Sequence, residues 1–173
     1  MSRTRTIPDT EIFAAIRRLL AAGGDKAVAF STVARATGLA APTLVQRYGS
    51  RDRMMQAALM AGWDHLNAMT DAAEADPALA AKGAFALLKA LGADTSDPSE
   101  ISLLAADFRD PVLRGRATDW RNRVELLLAG RLGGGAKARE QAAVLFSLWQ
   151  GQALWQAAGA RGFKLKDVVK RLT

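Results

Sequence analysis

The chain has 173 residues, which is long enough to bury a hydrophobic core without help from disulfide bonds. It contains no cysteine, so disulfides and thiolate metal sites are excluded. Residues 1–55 hold nine basic and four acidic side chains, a net charge of +5, whereas the remaining 118 residues hold 15 and 13, a net charge of +2. This concentration of positive charge is typical of a surface that binds a polyanion.

Neither a secretion signal nor a membrane span is expected. The basic N-terminus is not followed by an apolar stretch of signal-peptide length. The segment from Gln141 to Ala160 has no formal charge and about the length of a bilayer-spanning helix. Its four glutamines favour a buried helix of a soluble protein, because each amide would need a partner inside lipid. We therefore expect a cytoplasmic protein without a membrane partner.

The alanine and leucine content predicts an all-α fold. In the first helix, apolar residues recur at one-, three- and four-residue steps between Ile12 and Leu20, and Gly23-Gly24 ends it. Ser50 is the expected cap of a long fourth helix. The second predicted helix runs from about Ser31 to Thr37, with Ser31 or a neighbour as its cap. The third begins between Ala40 and Pro42 and ends at Tyr48, and the fourth runs from Arg51 to about Ala75.

Five more helices are predicted in the rest of the chain. Asp76-Pro77 begins one of them, since proline fits the first turn of a helix, and Asp110-Pro111 ends another. Glycine clusters end two others. The predicted ranges are Asp76-Pro77 to about Leu91, Ile101 to Phe108, Val112 to Leu132, Ala138 to Ala158 and Leu165 to Leu172.

The second and third helices, joined at Gly38, have the spacing of a helix-turn-helix. In the third helix Leu44 and Tyr48 point to the core, which leaves Thr43, Gln46 and Arg47 facing outward. Gln46 can pair with adenine and Arg47 with guanine. The other candidate contacts are methyl groups for thymine (Ala41, Thr43, Val45), polar groups for phosphate (Ser31, Thr32, Thr43, Tyr48, Arg51) and Pro42 at the helix start.

Residues 7–55 resemble the DNA-binding domain of the TetR family of bacterial transcriptional regulators. The resemblance rests on three groups of matches: Ile12, Phe13, Ala15, Ile16, Leu19, Leu20 and Gly24; Val33, Ala34, Thr37, Gly38 and Leu39; Thr43, Leu44, Tyr48, Ser50, Arg51, Asp52 and Met54. Thr37 replaces an alanine of the family pattern, and the chain departs from the pattern at four further positions. Val45 and Arg47 replace aromatic residues, and Ala40 and Ala41 replace serine and lysine.

The resemblance implies a helix-turn-helix domain at residues 1–50 and a helical effector-binding and dimerisation domain at residues 51–173. It implies a homodimer that binds a palindromic double-stranded DNA operator, most often as a repressor. A small apolar effector would release the operator by favouring a second conformation of the dimer. No cofactor is expected.

Two sets of residues in the C-terminal part are candidates for the dimer interface and the effector site. Small residues on one face of the last long helix permit close helix approach, either in a dimer or within the monomer; they are Ala143, Ser147, Gly151, Leu154 and Ala158. Apolar and polar side chains that line either a pocket or the core are Trp63, His65, Met69, Phe85, Leu88, Phe108, Trp120, Trp149 and Gln150.

Two other functions compete with a DNA-binding regulator. The first is a helical protein-interaction module that has lost specific DNA binding, which the departures at Ala41 and Val45 favour. The second is an enzyme that uses His65 with a nearby carboxylate such as Asp64. His65 is the only histidine, so a multi-histidine metal site is excluded, and the sequence favours a protein that is not an enzyme.

Overall fold

The structure, a computed structural model, describes residues 7–93, 108–157, 159, 161–162 and 164–172. Regular secondary structure in these ranges is helical throughout, which confirms the all-α class. No helix in them is long and apolar enough to cross a bilayer. The helices are α1 (Asp9–Gly23), α2 (Phe30–Thr37), α3 (Ala41–Tyr48), α4 (Arg51–Ala75), α5 (Pro77–Ala80), α6 (Gly83–Ala93), α7 (Pro111–Arg131), α8 (Gly135–Ala157) and α9 (Leu165–Leu172), with a 3₁₀ turn at Asp25–Ala27.

The chain forms two compact units, an N-terminal unit (Met1–Trp63) and a C-terminal unit (Asp64–Thr173). The division falls inside α4. The sequence placed the domain boundary at residues 50/51, where α4 begins. The first part of α4, up to Trp63, belongs to the N-terminal unit, and its side chains Met54, Ala58 and Leu59 are buried.

The N-terminal unit is built around the apolar faces of α1, α2 and α3. Ile12, Ile16, Val33 and Leu44 are each 0% exposed and form the centre of its core. Gly38 ends α2 in the left-handed conformation, with φ 77° and ψ 9°. Only glycine adopts that conformation at low cost, so Gly38 allows the chain to turn sharply into α3.

A threonine hydroxyl determines where α2 begins. The Thr32 hydroxyl accepts a hydrogen bond from the Ala29 backbone N–H at 2.9 Å and donates to the Ala27 carbonyl at 2.7 Å. The helix consequently begins at Phe30, one residue before the predicted Ser31, and its cap is Ala29. At α4, by contrast, Ser50 Oγ accepts from the Arg53 N–H at 3.2 Å, which confirms the predicted cap.

In the C-terminal unit, α7 and α8 pack along their lengths and form the main core. Leu113, Val124 and Leu128 of α7 and Ala142 and Leu145 of α8 are at most 1% exposed. Asp110 caps α7 by accepting from the N–H groups of Val112 at 2.8 Å and Leu113 at 3.4 Å, whereas the sequence had indicated Asp110-Pro111 only as the end of the preceding helix.

Ion pairs attach the second half of α4 to α7. Arg123 of α7 contacts Asp71 and Glu74 of α4, each at 2.6 Å, and both carboxylates raise the pKa of its guanidinium. Arg116 pairs with Asp64 at 3.3 Å. The two arginines lie seven residues apart on α7, as Asp64 and Asp71 do on α4, so the ion pairs hold the two helices in one register.

The predicted single helix from Asp76-Pro77 to Leu91 is wrong. The structure has two helices there, α5 and α6, because Gly83 has φ 78° and interrupts the helical hydrogen bonding after Ala80. The predicted helix from Ile101 to Phe108 falls almost entirely on residues outside the described ranges. The last long helix begins at Gly135 rather than Ala138, whereas the predicted bounds of α4 and α9 are confirmed.

Candidate nucleic-acid interface and effector site

The exposed face of α3 carries most of the side chains predicted to contact DNA. Leu44 is fully buried, and this fixes the rotation of the helix. Opposite it, Thr43, Gln46 and Pro42 are exposed, and Val45 is 44% exposed. Ser31 of α2 is also exposed, whereas Ala41 is partly buried. The short helix thus presents hydroxyl, amide and methyl groups side by side, which are the groups that recognise base edges.

Two residues at the end of α3 are linked to the start of α1 through one carboxylate. Asp9 Oδ1 accepts a hydrogen bond from the Tyr48 hydroxyl at 2.5 Å and from Arg47 Nη1 at 3.1 Å. Arg47 Nη1 also donates to the Ile7 carbonyl at 3.0 Å. The Tyr48 ring lies 6.0 Å from that of Phe13, and burial, with the bond to Asp9, raises the pKa of Tyr48 to about 12. Sequence reasoning missed Asp9, because no local pattern indicates a contact across 38 residues.

Arg51 and Thr32, both predicted phosphate contacts, take part in internal hydrogen bonds. Arg51 Nε donates to the Val28 carbonyl at 2.6 Å, its Nη2 donates to the Asp25 carbonyl, and its Nη1 pairs with Asp52 at 3.1 Å. The Arg51 side chain is 36% exposed. It therefore attaches the loop before α2 to the start of α4, while part of it remains accessible.

Four other cations of the N-terminal unit are exposed. None of them forms an ion pair with a residue that the structure describes, so their charges are available to a polyanion. The four are Arg18, Lys26, Arg35 and Arg53.

Aromatic side chains of α7 and α8 form a cluster in the C-terminal unit. The ring centroids of Trp120 and Phe146 are 5.8 Å apart, those of Phe146 and Trp149 are 5.9 Å apart, and those of Trp120 and Trp149 are 6.3 Å apart. The guanidinium of Arg121 lies 5.4 Å from the Phe146 centroid. Trp120 is buried, but Trp149 is half-buried, so a ligand can reach its ring.

Only some of the other predicted effector residues are buried. Leu88 belongs to the core of the C-terminal unit, and Met69 and Phe85 are partly buried. His65 is exposed, and Phe108 is 46% exposed. Trp63 is buried in the N-terminal unit. No cluster of metal-binding side chains occurs among the described residues.

Gln150 has an unusual environment for a polar side chain of α8. Its Nε2 atom is buried and has no hydrogen-bond partner among the described residues. A buried amide N–H without an acceptor costs about 1–3 kcal/mol. A ligand that brought an acceptor to this atom would remove that cost.

The predicted interface stripe lies on the accessible side of α8. Ser147 is exposed, Leu154 is 52% exposed, and Ala143 and Gly151 are partly buried, whereas Ala158 lies outside the described residues. Two further apolar side chains of α8, Val144 and Trp155, are 51% and 64% exposed. A cavity of about 320 Å³ borders this face, and its lining residues are Ser147, Leu148, Gly151, Gln152, Trp155, Gln156, Arg161 and Gly162.

Comparisons with known proteins find similarity at the level of structure. No family model and no curated protein matches the chain. A TetR-like transcriptional regulator from Rhodococcus sp. RHA1 superposes with a TM-score of 0.73 at 17% identity, over 99% of this chain and 94% of the other. The multidrug binding protein EbrR, in complex with malachite green, gives 0.70 at 23% identity over 96% and 98%.

A third solved structure is that of a transcriptional regulator from Saccharomonospora viridis in complex with choline. Its TM-score is 0.72 at 17% identity, over 95% of this chain and 92% of the other. All three similarities extend over both the helix-turn-helix and the helices that follow it. The chain therefore has the TetR-like fold, with an N-terminal helix-turn-helix and a C-terminal helical region.

Proposed function

We propose that this protein is a transcriptional regulator that binds a palindromic operator as a homodimer and acts as a repressor. The observation that carries the proposal is the exposed face of α3, in the second helix of a helix-turn-helix whose N-terminal unit has an excess of basic residues. The second helix of this motif enters the major groove, where its N-terminal residues contact base edges. The TetR-like fold supports the same role.

Thr43 and Gln46 are the side chains that read the sequence. Both are exposed and lie one turn apart on α3. The Gln46 amide can donate to and accept from adenine, and Thr43 offers a methyl group to thymine. The four exposed cations and part of Arg51 supply phosphate contacts that position the helix.

Selection of bound DNA from a random pool tests this function. We expect a palindrome whose half-sites lie about one helical turn, or a multiple of it, apart. Gln46→Ala should relax the preference at one position per half-site and cost about 1–3 kcal/mol on the selected operator. Lys89→Ala, which changes an exposed cation of α6, serves as a control and should bind like the wild type. Enrichment of no sequence would refute the proposal.

The effector proposed for this protein is a small apolar molecule that binds beside Trp149 and Gln150. The exposed part of the Trp149 ring offers an aromatic surface, and Gln150 Nε2 offers a donor without a partner. Malachite green, which is bound in the EbrR structure, is a suitable probe because its aromatic rings can stack on tryptophan.

Calorimetric titration with malachite green tests the effector site. We expect saturable binding that Trp149→Ala weakens, with a matching fall in operator affinity when the ligand is present, since linkage between two sites is reciprocal. Leu126→Ala, which removes an exposed apolar side chain from α7, is the control. Equal binding by Trp149→Ala and the wild type would contradict this placement.

A protein-interaction module is the second candidate. It is favoured by one observation: Arg47 and Arg51, two of the cations expected on DNA, form hydrogen bonds within the N-terminal unit. Binding to genomic fragments at several salt concentrations separates the two functions. A regulator loses affinity steeply as salt rises because phosphate contacts release counterions, whereas a module of this kind forms no specific DNA complex.

A further inference from the structure

Asp9 is the first residue of α1, yet its carboxylate contacts the last turn of α3. One oxygen, Oδ1, accepts both the Tyr48 hydroxyl at 2.5 Å and Arg47 Nη1 at 3.1 Å. The Ile7 carbonyl accepts a second bond from the same Arg47 nitrogen. The guanidinium is thus attached to the start of α1 through one of its three nitrogens.

The remaining donors of Arg47 are free to bind a ligand. Nε and Nη2 form no hydrogen bond with any described residue, and 30% of the side chain is exposed. A guanidinium is planar and rigid, so fixing one nitrogen also limits the orientation of the other two. Asp9 therefore decides the direction in which the free edge of Arg47 points.

The position of Arg47 favours a phosphate over a base as its partner. Arg47 is the seventh of the eight residues of α3, whereas bases are contacted by the N-terminal residues of a recognition helix. Its side chain also extends back to Ile7 and Asp9, which lie outside α3. This differs from the sequence-based expectation that Arg47 pairs with guanine.

We propose that Asp9 is a positioning residue for DNA binding, which orients Arg47 so that its free edge donates to a phosphate of the operator backbone. The inference rests on the proposed function. Asp9 itself does not touch DNA. Its negative charge is compensated by Arg47, and without Arg47 it would face the phosphates uncompensated.

A double-mutant cycle on the selected operator tests this role, because Asp9 acts with opposite signs in the two backgrounds. In the wild-type background, Asp9→Asn should weaken operator binding about fivefold, since it loosens one charge-assisted contact. In the Arg47→Ala background the same change should strengthen binding, since it removes a carboxylate that repels phosphate. Affinity falls as salt rises, and in the Arg47→Ala variant the slope of log affinity against log salt should be less steep by about 0.9, the value for one phosphate contact. The preferred sequence should not change.

Glu11→Gln is the matched control. Glu11 is an exposed acid in the same first turn of α1, and it forms no hydrogen bond with α3. Glu11→Gln should leave operator affinity unchanged or raise it slightly in both backgrounds. Melting curves of every variant show whether it is folded. If Asp9→Asn does not fold, Asp9→Glu replaces it. This variant keeps the charge but moves the carboxylate, so it should weaken binding in the wild-type background and have no effect when Arg47 is absent.

The results distinguish this role from the function on which it rests. If the wild type enriches no operator, the proposed function and the role of Asp9 both fail. If the wild type binds an operator but Asp9→Asn has the same effect with and without Arg47, only the role of Asp9 is refuted. A relaxed base preference in Arg47→Ala would show that Arg47 reads a base.

Discussion

Thr70 is a fully buried polar side chain in the second half of α4. Its hydroxyl donates to the Leu66 carbonyl at 2.8 Å and accepts from Trp120 Nε1 at 3.0 Å. The hydroxyl therefore supplies the acceptor that the indole N–H of a buried tryptophan needs. It also fixes the position of Trp120, whose ring belongs to the aromatic cluster of α7 and α8.

Replacing Thr70 by valine keeps the shape of the side chain and removes the acceptor. We expect Thr70→Val to lower the free energy of unfolding by about 1–3 kcal/mol, the cost of taking away the partner of a buried donor. Thr118→Val is the control: Thr118 makes the same bond to the carbonyl four residues earlier but is exposed. It should change stability by less than about 0.5 kcal/mol in urea denaturation. Equal effects of the two substitutions would contradict a specific role of the bond to Trp120.

Tyr48 is the only tyrosine, so tyrosinate absorption reports on this side chain alone. Burial and then the hydrogen bond to Asp9 raise its pKa from 10.0 to about 12, and the neighbouring Arg47 guanidinium opposes the shift. Since the folded pKa exceeds the unfolded value, the neutral phenol stabilises the fold fully below pH 10. This contribution is lost as the pH rises towards 12.

Spectrophotometric titration checks the environment of Tyr48. We expect a midpoint near 12 for the folded protein and about 10 for the protein in denaturant. Asp9→Asn should lower the folded midpoint, because it weakens an interaction that favours the neutral phenol. A folded midpoint equal to that in denaturant would show that Tyr48 is neither buried nor bonded to Asp9.

Among the secondary structure elements, the turn between α2 and α3 depends on one glycine. Gly38 has φ 77°, and a Cβ added there would meet no atom within 4 Å. Gly38→Ala should therefore destabilise the protein only through its backbone, by about 1–2 kcal/mol.

The matched control is Gly115→Ala in the interior of α7, where the added Cβ also meets no atom within 4 Å. This second substitution should stabilise the protein by about 0.5–1 kcal/mol, since alanine favours helix. Thermal unfolding measures both, and stabilisation by Gly38→Ala would mean that the turn adopts another conformation.

The elements also show where local signals suffice. The bounds of α4 and the cap at Ser50 were predictable, because a cap acts within three residues of its own helix. Gly83 was not recognised as a break between α5 and α6. Glycine inside a helical pattern is either tolerated or adopts a positive φ, and the packing of its neighbours decides between the two.

At the scale of the whole molecule, we propose that the homodimer forms through the predicted stripe on α8. Leu154, with 52% of its surface exposed, is the apolar side chain of that stripe most accessible to a second copy. Close packing of small residues such as Ser147 and Gly151 would allow two such helices to approach each other. This arrangement would set the distance between two recognition helices, and so the spacing of the half-sites.

Placing a charge on the stripe tests the dimer. We expect Leu154→Glu to give monomers in sedimentation velocity experiments and to abolish tight binding to the palindrome, because a buried unpaired carboxylate costs several kcal/mol. Val112→Glu makes the same change at a similarly exposed site on α7, with 54% exposure, and should remain dimeric. If both variants remain dimers, the interface lies elsewhere on the molecule.

Much of the candidate DNA-binding face was predictable from the sequence. The exposure of Thr43 and Gln46 follows from helical periodicity once Leu44 is placed in the core, and the spacing shared with the TetR family indicated the fold. The effector site was less predictable, because aromatic side chains at helical spacing are more often part of a core than of a pocket. Trp120 and Trp149 meet in one cluster, whereas His65 and Phe108 are exposed.

The sequence by itself determined the all-α class, most helix bounds and the outward face of α3, since these depend on propensity, periodicity and capping over a few residues. Only the tertiary structure revealed that Asp9 binds Arg47 and Tyr48, that Arg51 attaches a loop to α4, and that Thr70 accepts from Trp120. These contacts join residues between 23 and 50 positions apart. Which of these residues meet depends on how the helices pack, and no pattern along the chain predicts it.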